Sequence, residues 1–217
     1  MGMKGFEIVT GLDIALNRDM VFHLIDLYPG NPIYDEVVEE YDEIESKVRK
    51  LVKAKAIYKF SSVSKEIAEH AEGKLSIGSP VLYVLMTIGN EISDMSSDYF
   101  VRGDYLLGML VNAMADTYLF QMDDILKDRI NESCILRHLG IEKRLDAPEN
   151  IPMQMQKDIL IEIKEVEDLP MDVTEGFMFT TVKTLGYILV LTEDETKLYS
   201  GHNCSTCSQK NCKMRRA

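Results

Sequence analysis

The sequence predicts an α+β fold, a single domain of helices packed on a small mixed or antiparallel sheet. Three observations carry that expectation. Long segments repeat apolar residues every three or four positions, as amphipathic helices do. Lys55 to Ser62 alternates polar and apolar residues in the manner of a half-buried strand, and Pro80 to Gly89 is apolar almost throughout, as a strand covered on both faces is. No repeat of fixed period and no low-complexity stretch interrupts the pattern.

The first clear element opens at Asn31-Pro32, where Asn is a capping residue and the proline ring already fixes helical φ. Ile33, Val37, Tyr41, Ile44, Val48 and Leu51 then line one face of a helix of about 20 residues whose other positions are mostly charged. The Lys55–Ser62 strand follows, then a short helix from Ser64 to Ala71 with Ser64 as its cap. Pro80 to Gly89 reads as the central strand. Helices are expected over Asn90–Phe100 and Asp104–Glu132, separated by Gly103, and the second shows a broad apolar face from Leu107 through Met114, Tyr118 and Met122 to Ile130. Met109, Met114 and Met122 read as core on the same spacing. Gly140 to Pro152, carrying Pro148 and Asn150, reads as a connection, and Gln154–Val166 as a helix. Phe177–Val182 and Tyr187–Leu191 read as two short strands with Gly186 between them. Residues 1–200 are expected to form the domain and residues 201–217 a Cys-rich tail, basic at Lys213, Arg215 and Arg216.

Charge narrows the function. Lys and Arg number 24 against 36 Asp and Glu, a formal charge of −12, which repels phosphate backbones and anionic lipid. No nucleic-acid or membrane partner is therefore expected. The longest apolar run, Val81 to Ile88, is too short to span a bilayer, and Met1 to Phe6 lead into Glu7 and Asp13 without the apolar core of a signal peptide. A cytoplasmic protein with reduced thiols follows as the expectation.

Candidate chemistry is concentrated late in the chain. Cys204, Cys207 and Cys212 are separated by two and then four residues, a spacing that lets short loops gather sulfur around a zinc ion or an iron–sulfur cluster. His202 or the distant Cys134 supplies the fourth ligand in that reading. Arg144, in the turn-rich connection, offers a planar fork of donors for a carboxylate or phosphate, or for an internal ion pair. Asp123, Asp124 and Asp128 lie late in the long helix, with Asp124 and Asp128 on one face. No Gly-x-Ser-x-Gly elbow, Gly-rich phosphate loop or Gly-x-Gly-x-x-Gly turn occurs. Of the scattered histidines, His23 reads as a core or boundary residue.

The order of pieces carries a resemblance. Leu85-Met-Thr-Ile-Gly-Asn-Glu-Ile, then Tyr99-Phe-Val-Arg-Gly-Asp-Tyr-Leu-Leu-Gly, then Val111-Asn-Ala-Met-Ala-Asp, with Arg144, Pro152, Gln156 and the Val173-Thr-Glu-Gly-Phe turn behind them, resembles the activation domain of cobalamin-dependent methionine synthase in a free-standing version with a Cys-rich tail. The likeness covers about residues 75 to 191. It implies that domain's fold and a role in reactivation: presenting S-adenosylmethionine to the cobalamin of a corrinoid-binding methionine synthase, or another corrinoid protein, with a flavodoxin-like electron donor. It further implies that Arg144 grips the ligand, Asp124 faces its ammonium group, and Gly186-Tyr187 lies against the nucleoside. Ala147-Pro148-Glu149-Asn150 stands where the family has Pro-Gly-Tyr. An alternative with the same resemblance is a protein without S-adenosylmethionine that serves another corrinoid enzyme through a metal or iron–sulfur tail.

Overall fold

The computed structural model describes residues 5–202, 204–205 and 207–215, so Arg216 of the expected basic end lies outside the described residues. In chain order the elements are β1 (Phe6–Thr10), α1 (Arg18–Leu24), α2 (Tyr34–Leu51), β2 (Lys55–Ser62), α3 (Lys65–His70), β3 (Pro80–Thr87), α4 (Glu91–Arg102), α5 (Tyr105–Ile135), β4 (Gly140–Asp146), α6 (Met155–Lys164) and β5 (Thr184–Thr192). The strands form one antiparallel sheet in the order β1-β2-β3-β5-β4. This is the α+β architecture the sequence predicts, and the apolar run is its central strand.

Strand periodicity divides the core into two layers. Leu82, Val84 and Met86 of β3 face α1, α2, α4 and α5, together with Ala56, Tyr58, Tyr187 and Leu189. Val81, Tyr83 and Leu85 face α3 and α6, together with Ile57, Leu145 and Ile188. Val81 to Thr87 are buried throughout, which is why β3 shows no polar alternation in the sequence. Caps fix the helix ends. Ser64 accepts from the Ile67 amide at 3.2 Å, Asn17 accepts from Met20 at 3.0 Å, and Gly103 closes α4 in the left-handed region at φ +88°. Among the described residues no helix is long and apolar enough to cross a membrane.

The structure corrects several expectations. Gly140–Pro152 is not simply a connection, because its first half is β4. A bulge between Ile141 and Lys143 breaks the alternation that would have marked a strand. The Phe177–Val182 segment is not a strand; Phe177 sits at φ +61°, and one isolated bridge, Val173 to Phe179, is all that pairs there. Gly186 lies within β5 rather than between two strands. Two elements went unanticipated: β1, an edge strand with half-buried residues, and α1, whose seven residues are too few to establish a period. His23 is exposed on α1, and Met109 is 44% exposed although Met114 and Met122 are buried.

Gly140 starts β4 where the chain after β5 passes close by: a Cβ there would lie 1.9 Å from the Asp194 carbonyl oxygen. Gly140→Ala is expected to lower the free energy of urea unfolding by about 3 kcal/mol through overpacking against backbone. Gly5→Ala, whose added carbon meets nothing within 4 Å, is the control and should change it by less than about 0.5 kcal/mol.

Candidate functional site

The bulge in β4 decides where its side chains point. Ile141 pairs with Leu191, but beyond the bulge Arg144 pairs with Leu189 and Asp146 with Tyr187. An uninterrupted register would have set Arg144 opposite Ile188, on the α6 face. The extra residue turns Arg144 and Asp146 toward α5 instead, onto the face that carries Tyr187.

There Arg144 is held on every side. Its Nε donates to both Asp146 carboxylate oxygens at 2.9 and 3.0 Å, and one terminal nitrogen donates to Asp123 of α5 at 2.6 Å and to the Tyr199 hydroxyl at 2.5 Å. The guanidinium carbon stands 3.7 Å from the centroid of the Tyr187 ring, a cation–π contact. Tyr187 donates to the other Asp123 oxygen at 2.8 Å. Burial works against the charged guanidinium, yet Asp123 above all, then the tyrosines and Asp146, raise its pKa well above the ordinary arginine value. Burial likewise pushes the Tyr187 and Tyr199 phenols up, so both stay protonated and available as donors. Nearer the N-terminal end of α5, Asp116 accepts from Lys183 at 2.5 Å, fixing the helix over the start of β5.

Beside this cluster lies a cavity of about 320 Å³. Phe120, Leu185 and Pro148 give it an apolar wall, and Asp123, Asp146 and Glu149 bring carboxylates to it. Its remaining wall is the C-terminal tail, including Cys204, Cys207, Cys212 and His202. A second groove of about 290 Å³ runs along β4 against the Leu198–His202 segment. The tail is docked by Ser208, whose amide donates to Glu149 at 2.8 Å and hydroxyl at 2.5 Å, holding that carboxyl below its ordinary pKa, and by Lys213, which donates to the Leu24 carbonyl at 3.1 Å and Asp26 at 2.5 Å.

The sequence-predicted residues thus divide. Arg144, His202 and the tail cysteines gather around one cavity. Asp124, next to Asp123 on the helix, sits under the tail, within 3.9 Å of where a Gly201 Cβ would be, and Asp128 is exposed. Tyr187 is fully buried beneath Arg144. Gly186 faces the opposite layer: a Cβ there would lie 2.5 Å from Gln156 Oε1 and 2.8 Å from the Phe179 ring, and its carbonyl accepts from Gln156 at 3.3 Å. Its lack of a side chain serves the packing of α6. Cys134 is buried in the α5 layer, where burial pushes its thiol up to about 11; it stays protonated and stands apart from the tail sulfurs. Phe120, Leu185, Asp146, Glu149 and Tyr199 were not anticipated. The spacing of Arg144 and Asp146 on one strand face was the signal for part of this, hidden by the bulge.

Asp123→Ala leaves Arg144 buried with half its charge partners and is expected to cost about 3 to 5 kcal/mol in urea unfolding. Asp128→Asn, on the exposed side of the same helix, should stay within about 0.5 kcal/mol. As for likeness to known proteins, no protein-family model matches this chain, and no curated protein is detectably similar to it. Among solved structures, the crystal structure of the MetH reactivation domain bound to AdoHcy matches with a TM-score of 0.57, covering 91% of this chain and 81% of that one at 11% identity. The chain therefore has the fold of the MetH reactivation domain.

Proposed function

We propose that the cavity beside Arg144 holds S-adenosylmethionine and that the chain, in a free-standing form, presents it to cobalamin carried by a corrinoid-binding methionine synthase. One observation supports this above the others: a buried, carboxylate-held arginine fronts a largely apolar cavity of about 320 Å³ in a fold whose solved counterpart was crystallised with AdoHcy. The lining suits such a ligand. Phe120, Leu185 and Pro148 offer an apolar wall to a purine, and Asp123, Asp146 and Glu149 offer negative charge to an ammonium and a sulfonium.

Arg144 is the group to receive the ligand's carboxylate. Of its two acidic partners, Asp123 is the more buried, with a side chain 7% exposed against 26% for Asp146. Asp146 is thus the partner that yields, because water can take it up at lower cost. Asp123 keeps the guanidinium charged and oriented throughout, with Tyr187 below and Tyr199 beside it. The chemistry would be supplied by the bound and docked groups: S-adenosylmethionine as methyl donor, leaving as S-adenosylhomocysteine, and the partner's cobalamin as acceptor once a separate donor, such as a flavodoxin-like protein, had supplied one electron. The chain's own part is to position the donor and exclude water.

A second reading rests on the same arginine. Because Asp123, Asp146 and Tyr199 already engage it, a chain that has given up S-adenosylmethionine would keep Arg144 as a structural pin and serve another corrinoid enzyme through its tail. Calorimetric titration separates the two. The leading reading expects saturable binding of S-adenosylmethionine and recovery of methylcobalamin with the cognate synthase; Phe120→Ala should weaken binding about tenfold, the order of one aromatic contact, without loss of fold. No binding and no recovery would leave the second reading.

A further inference from the structure

The tail has a feature that the S-adenosylmethionine site does not use. Cys204, Cys207 and Cys212 are free thiols, half-buried or exposed, and all three line the same cavity with His202. Their backbone is gathered by one side chain. The Arg215 guanidinium donates to the Cys204 carbonyl, to Cys207 at 3.1 Å and to Gln209 at 2.9 Å, and the Cys212 amide donates to Gln209 at 3.2 Å. The carbonyls of Cys204 and Cys207 thus meet at one guanidinium, on a segment whose three thiols and His202 line one cavity. Among the described residues no three such side chains already form a ligand set.

We propose that Cys204, Cys207, Cys212 and His202 bind one thiophilic divalent cation of the Zn²⁺ type, and that this ion fixes the tail as the outer wall of the Arg144 cavity. Three thiolates and one neutral imidazole complete a tetrahedral zinc shell, which excludes an open catalytic position. The complex carries one net negative charge, and Lys210, Lys213 and Arg215 on the same segment offset it. Among the described residues, Ser208 on Glu149 and Lys213 on Asp26 and the Leu24 carbonyl hold the tail against the domain, an attachment that a metal would reinforce.

The test uses the full chain, purified anaerobically with reductant, stripped by chelator and titrated with Zn²⁺ and Co²⁺ alone. One equivalent of Co²⁺ is expected to give the intense visible bands of a tetrahedral thiolate site. Zn²⁺ is expected to displace it with a Kd at or below the nanomolar range, and hydrogen exchange of residues 201–215 should slow on loading. Cys207→Ser should weaken zinc binding by about 100-fold or more, and Cys134→Ser should leave it unchanged. Binding no tighter than micromolar, binding unaffected by Cys207→Ser, or stoichiometric iron and sulfide in the anaerobic protein overturns the proposal. None of these measurements involves S-adenosylmethionine, so their failure leaves the reading of the Arg144 cavity untouched, and the converse holds.

Discussion

The buried pair of Arg144 and Asp123 is the interaction on which the rest of the site depends. It joins three elements at one point: β4 supplies the guanidinium, α5 the carboxylate, and β5 the Tyr187 ring on which the guanidinium rests. A charge pair so nearly closed to water is costly to assemble and costlier to break, since each partner left alone would be a buried, uncompensated ion. The surrounding network is what makes it tolerable. Asp146, Tyr199 and Tyr187 satisfy further donors and acceptors of the pair, so the cluster acts as a polar rivet between the edge of the sheet and the helix layer.

That rivet exists because of one additional residue. The bulge in β4 turns Arg144 away from the α6 layer and toward α5, and Gly140, at the strand's start, leaves room for the Asp194 backbone that crosses there. Gly186 plays a comparable part on the far side of β5, letting Gln156 and Phe179 pack closely against the strand. The two glycines and the bulge fix strand positions; the cavity is what remains between the strand ends, α5 and the tail.

Much of this architecture was legible in the sequence. The α2 stripe from Val37 to Val48, the β2 alternation, the Ser64 cap, the apolar β3 run and the long α5 all carry local signals of the right period, and the structure places them where those signals say, except that α2 opens at Tyr34 rather than at Pro32, without a side-chain cap from Asn31, and leaves Ile33 38% exposed. What escaped were features whose cause is tertiary. Edge strand β1 and the seven-residue α1 are too weakly patterned to stand alone, and β4 loses its alternation at the bulge. At the site, Arg144 was recognisable by type and by the resemblance, whereas its partner was not: neighbouring aspartates differ by about 100° around a helix, and only packing decides that Asp123 faces inward while Asp124 lies under the tail. Phe120 and Leu185 look like ordinary core residues until a cavity is found beside them.

The charge of −12 bears on partners more than on fold. Under the proposed function an acidic electron donor would need a local basic patch to associate, and the tail carries Lys210, Lys213 and Arg215, of which Arg215 lines the cavity. The tail would then serve the site twice, as wall and as contact. Whether the space between Arg144, Phe120 and Leu185 is a nucleoside site is decided by a crystal structure of the chain with S-adenosylhomocysteine. The expected result is the ligand's carboxylate on Arg144 with Asp146 displaced, Asp123 unmoved and the purine against Phe120. Ligand bound elsewhere, or a guanidinium still closed by both aspartates in a saturated crystal, would contradict it.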